Sequence, residues 1–147
     1  MTDHRIKMND NVEELLDLAD AALKNLHEAY DFLEEAKEWG IIDMVGGGLI
    51  ITGVKHHKIA KAQTEMDEAV SYIRRLEKKL EYTDYTDKVN LSSGSMMIVM
   101  DFLLDNPITD ILEQNHIKEM MEDVELLIGR LELMQEELYG GGISLTQ

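Results

Sequence analysis

The densest grouping of chemically distinctive residues is Trp39-Gly-Ile-Ile-Asp43-Met-Val-Gly46-Gly47-Gly48, followed shortly by Lys55-His56-His57-Lys58. Consecutive glycines leave backbone N–H groups uncovered, and at the start of a helix such groups can hold an anion, with Lys55 as counter-charge. The nucleotide-binding form of this arrangement ends in Gly-Lys-Ser or Gly-Lys-Thr, which is missing here, and Asp43 would repel the same anion. Each glycine costs a helix about 1 kcal/mol relative to alanine, so three in a row require a compensating gain. Close packing offers one, because Gly46, Gly53 and Ala60 recur every seven residues and mark a line along which another backbone can approach. Packing is the favoured reading. Trp39, Asp43, Gly46, Gly47, Gly48, Lys55 and His56 are the candidate residues of a close-packed or ligand-holding hairpin.

Metal chemistry is the next possibility that 30 acids and five histidines raise. Carboxylate-bridged di-metal bundles use Glu-x-x-His on two helices and a further Glu from each of two others. Glu113-Gln-Asn-His116 has the spacing, but no second copy accompanies it. His56 and His57 are neighbours and point to different faces of a helix, which argues against joint chelation. There is no cysteine and no Gly-x-Ser-x-Gly elbow, so thiolate zinc sites, thiol nucleophiles and disulfides are excluded. No catalytic constellation is recognisable, and the sequence assigns no catalytic residue, metal ligand or cofactor.

The elements that carry these residues follow from periodicity. Between Asn11 and Glu38 apolar or small positions recur at steps of three and four, from Val12 and Leu15 to Leu33 and Ala36, which is one face of an amphipathic helix. Asp10 or Asn11 can cap its start, and Trp39-Gly40 is expected to end it. A second pattern runs from Ile59 through Ala62, Met66, Ala69, Val70, Ile73 and Leu76 to Leu80, and nothing but Gly53 opposes an earlier start. Thr83 to Ser95 is polar and turn-forming. Met96 to Asp105 reads as a short apolar helix, ended by Asn106-Pro107. A last helix is expected from about Ile108 to Tyr139, stopped by Gly140-Gly141-Gly142, with residues 140–147 a flexible tail. The predicted fold is all-α: a single domain over 1–147, an antiparallel helical bundle of three long helices with heptad-like apolar spacing, and short apolar helices or turns at 41–54 and 96–106.

Sliding the chain by 58 residues lays Asp43 over Asp101, Ile59 over Ile117, Met66 over Val124 and Leu80 over Leu138. Two related hairpins would produce this echo, and so would any two amphipathic helices set in register. Asp101 and Asp105 are accordingly candidates for a second hairpin.

The chain has 147 residues, with 14 Lys and Arg against 30 Asp and Glu, giving a formal net charge of −16. Nucleic acids are bound largely through basic residues that neutralise phosphates, so direct nucleic-acid binding is not expected. No stretch reaches the ~20 apolar residues needed to cross a bilayer, and the amino-terminal residues lack a secretory pattern, so a cytoplasmic location is expected. The stretch from Lys55 to Tyr82 is the basic part of the chain. Packed between the two acidic helices it would relieve their repulsion, which predicts a central second helix with Lys55, Lys58, Lys61, Arg74, Arg75, Lys78 and Lys79 near flanking acids. The ten methionines suit core filling or an adaptable partner groove.

Trp39-Gly40, Asp43, Gly46-Gly47-Gly48, Lys55-His56 and Ala62, with Phe102, Asp105 and Asp110 downstream, resemble a family of uncharacterised bacterial helical proteins. In that family a tryptophan-glycine and triple-glycine hairpin precedes a lysine-histidine helix, and an apolar aspartate-containing turn opens a further long helix. The resemblance spans approximately residues 36–128. This chain departs from it in Asn106-Pro107 after Asp105 and in Ile111, where an aromatic residue is expected. What it implies is a helical fold with no assigned activity.

The function expected from all of this is non-enzymatic: a helical protein that acts through protein contacts, with self-association as a homodimer and an unknown protein partner. A peripheral membrane or lipid-sensing bundle exposing Ile41–Val54 and Met96–Leu104 is the alternative, and a metal- or anion-binding bundle a weaker one.

Overall fold

The computed structural model describes the backbone of residues 2–44, 49–80 and 114–144, and side-chain burial for 11–39, 53–80 and 117–140. These residues form three helices, α1 (Thr2–Met44), α2 (Leu49–Leu80) and α3 (Gln114–Ser144), with no strand among them. The fold is an all-α helical bundle, as the periodicity predicts.

Each helix buries one row whose steps alternate between three and four. In α1 the row is Leu15, Ala19, Ala22, Leu26, Ala29, Leu33 and Ala36, all fully buried. The α2 row continues through Ile59, Ala62, Met66, Ala69, Ile73, Leu76 and Leu80, and the α3 row through Ile117, Met120, Val124, Leu127, Leu131, Met134 and Leu138. Such steps keep a row on one helix face, so three rows meet in one core. Each large apolar side chain removed from water there contributes about 1.5–3 kcal/mol before the entropy of ordering the chain is set against it. Alanines are interspersed with leucines along the α1 row, and Ala62 and Ala69 lie on the α2 row; side chains this small let two backbones approach closely. In keeping with this, α1 packs more extensively against α2 than against α3.

Polar pairs across the helix boundaries fix direction and register. Lys79 bonds Glu14, and Lys58 lies 2.7 Å from Glu35, so α2 runs antiparallel to α1. Gln135 donates to Asp20 at 2.6 Å and Tyr30 pairs with Glu125, so α3 is antiparallel to α1 as well. It follows that α2 and α3 run parallel to each other.

Several sequence expectations are corrected. The helix shared by the other two is acidic α1, not basic α2, because α1 is the one that packs against both. Exposed ion pairs contribute at most about 1 kcal/mol each, less than one buried leucine, so apolar rows decide which helices are neighbours. The first helix neither starts at Asp10 or Asn11 nor stops at Trp39-Gly40, since α1 runs unbroken through both. Residues 41–44 and 49–54 are the end of α1 and the start of α2, with 45–48 outside the described residues. Helix α3 is described from Gln114, the expected start at Ile108 lying outside the described residues, and it passes through Gly140-Gly141-Gly142 to Ser144. The polar segment 83–95, the apolar segment 96–106 and Asp101 and Asp105 lie outside the described residues.

Candidate functional site

The hairpin singled out in the sequence is only partly covered by the described residues. Asp43 falls in the last turn of α1, and Gly46, Gly47 and Gly48 lie outside the described residues. Trp39 is half-buried near the end of α1. The register that pairs Glu35 with Lys58 sets Lys55 level with Glu38, one residue from Trp39. Lys55 is 8% exposed, at a position four residues before Ile59 that continues the buried row of α2. An ammonium standing free at the surface as an anion's counter-charge is therefore not what the structure contains. A lysine at such a position packs its methylene stem against apolar neighbours and extends its charge towards the rim. His56 and His57 are exposed, so the structure brings Trp39 and Lys55 to one level and turns the histidines away from them. Gly53 does not support close approach either: it is exposed, and a methyl group added there would meet open space.

A cleft of about 560 Å³ lies between α1 and α2, lined by Glu14, Asp17, Leu18, Arg75, Lys78 and Lys79. A neighbouring cleft of about 370 Å³ shares Arg75 and Lys78 and adds Arg74, Asp67, Val70 and Ser71. The cations here are accompanied by acids, with Lys79 bonded to Glu14, and Arg75 sits over the ring of Tyr72 at 5.7 Å. Cations in the last turn of α2 also complement the helix dipole, so the cluster stabilises a helix end before any ligand is invoked. Further along the same boundary, Lys58 and Lys61 lie 5.7 and 5.6 Å from the centre of the Phe32 ring. The basic residues of α2 do lie beside acids of α1, as their spacing suggests.

Crowded carboxylates set the electrostatics elsewhere. Burial raises the pKa of Glu65 above the ordinary carboxylate value, helped by its hydrogen bond to Glu28 across the α1–α2 boundary and by the nearby Glu68. Asp123 on α3 is raised by burial and then by the charges of Glu119 and Glu122. Tyr30 is raised first by its hydrogen bond to Glu125, with desolvation and the charges of Glu125, Glu34 and Asp31 adding to it. Among the described residues no group of three His, Cys, Asp or Glu side chains converges to hold a metal ion. No helix among them is long and apolar enough to cross a membrane.

The surface feature that periodicity alone did not single out is on α3. Leu126 and Leu133 are 44% and 57% exposed, and they share a helix face with exposed Gly129. The signal was in the sequence: these two leucines fall outside the three-four row from Ile117 to Leu138, whereas Met121 and Ile128 flank that row and pack against the core. The methionines, by contrast, fill core where they are described, as Met66, Met120, Met121 and Met134 are buried.

A bundle of amphipathic helices with an acidic surface is thus the class of structure defined. No family model matches the chain, and neither a curated protein nor a solved structure shows significant similarity to it.

Proposed function

We propose that this protein is a non-enzymatic helical bundle that acts through protein–protein contacts. The observation that carries the reading is the pair of large leucines, Leu126 and Leu133, held out to solvent on a helix whose buried row is already complete. Burying each on a partner would be favourable, whereas keeping them exposed gives the isolated chain nothing. The long three-four rows are those of coiled-coil seams, and such helices associate readily with further helices. Self-association as a homodimer is the simplest form of such contact, and the motif resemblance to helical proteins without assigned activity is compatible with it. A cytoplasmic setting agrees with the charge and the lack of cysteine.

Sedimentation equilibrium of the full chain tests the homodimer form. A weight-average mass rising with concentration towards twice the 16.8 kDa monomer is expected. A mass that stays monomeric at high micromolar concentration would overturn self-association and leave heterologous contact as the surviving form.

A further inference from the structure

Resting on that reading, we infer that the outer face of α3 is a docking surface for a basic amphipathic helix of a partner protein. Leu126 and Leu133 are seven residues apart and so lie along one line of the helix, with Gly129 between them on the same stripe. Gly129 is exposed, and a methyl group placed on it would meet nothing among the described residues. Glycine in mid-helix is the costlier choice than alanine, and no neighbour among the described residues requires it. A second helix lying across this stripe does, because the missing side chain lets its backbone sit between the two leucines.

Charge selects the occupant. Glu119, Glu122, Glu136 and Glu137 border the leucines, against Lys118 and Arg130. The raised pKa of Asp123, due in part to Glu119 and Glu122, reports the same concentration of negative charge. A second copy meeting this face with its own would set glutamates against glutamates, so a homodimer would form through another face of the bundle. A helix with leucines on one side and lysines or arginines beside them would bury the apolar line and neutralise the rim.

The test uses the full-length chain and three labelled peptides of about three heptads, read by fluorescence anisotropy. One carries leucine at the a and d positions with lysine elsewhere, the second has the same composition scrambled, and the third replaces lysine with glutamate. The parent should bind the first peptide and neither of the others, and binding should weaken with salt. Leu126→Ser/Leu133→Ser should bind about tenfold or more weakly, the loss expected from removing two half-exposed leucines from an interface. Its melting temperature should match the parent's. Equal binding by parent and variant would reduce the effect to bulk charge and overturn the assignment, as would equal binding of the scrambled peptide or no binding at all. A melting temperature lowered by several degrees, with peptide affinity unchanged, would show that the chain itself covers the leucines. Self-association of the parent that the double variant abolishes would make a second copy the occupant, overturning this inference while sustaining action through protein contacts.

Discussion

Lys55 offers the sharpest separation of packing from ligand binding, through two substitutions that divide its side chain into stem and charge. With only 8% of the residue exposed, the three methylenes beyond Cβ are removed from water on the α2 row. At about 0.8 kcal/mol per buried methylene, Lys55→Ala should cost about 2 kcal/mol. For a domain of this size that is a fall of about 4–8 °C in melting temperature. Lys55→Met keeps a stem of similar length and discards a charge that the row must otherwise carry to its edge, so it should melt at or above the parent. Circular dichroism at 222 nm follows both transitions, with and without inorganic phosphate. Methionine and alanine variants that fall equally would mean that the ammonium, not the stem, stabilises this end of the bundle. A phosphate-dependent rise in the parent that both variants lack would restore the anion-holding hairpin.

In the core, Leu26→Ala should cost about 2–5 kcal/mol, because the residue is fully buried between small neighbours that cannot collapse into the space; urea titration measures it. Gly129→Ala should stabilise the isolated chain by up to about 1 kcal/mol, since its Cβ meets open space, and thermal melting checks the sign. The raised pKa of Glu65 means that the folded state holds its proton more tightly than the unfolded state does. The stability from this group is fully present below the unfolded carboxylate value and is lost as pH rises through the folded one. The melting temperature should therefore rise as pH is lowered from neutral towards the carboxylate range, and Glu65→Gln should raise it at neutral pH and flatten that slope.

How far the sequence could be read depended on which forces were decisive. The buried rows were legible residue by residue, because the alternation of three and four from Leu15 to Ala36, Ile59 to Leu80 and Ile117 to Leu138 is the direct imprint of one-sided burial. Helix ends were not. Glycine is a local stop signal worth about 1 kcal/mol, and α1 runs through Gly40, as α3 does through Gly140 to Gly142. The choice of α1 as the shared helix escaped a reading based on charge, since surface ion pairs are weaker than apolar contacts. Its alanines at 19, 22, 29 and 36 were the better guide, being the residues that permit close approach. Lys55 was hidden by its type: its spacing from Ile59 places it on the buried row, but an ammonium is read by default as surface. Of the candidate hairpin, Trp39 and Lys55 fall at one level of the α1–α2 pair by register, and the burial of Lys55 and the exposure of Gly53 were not legible from residue type.

The docking surface on α3 can be tested where the contact should form, using the fact that the chain contains no cysteine. A single cysteine at Glu136 on α3, or at exposed Ser71 on α2 as the control, carries an environment-sensitive fluorophore without competing sites. On addition of the leucine-lysine peptide, emission from position 136 should shift to the blue with a saturable dependence on peptide, while emission from position 71 stays constant. A shift at position 71 alone, or equal shifts at both positions, would contradict docking on the outer face of α3.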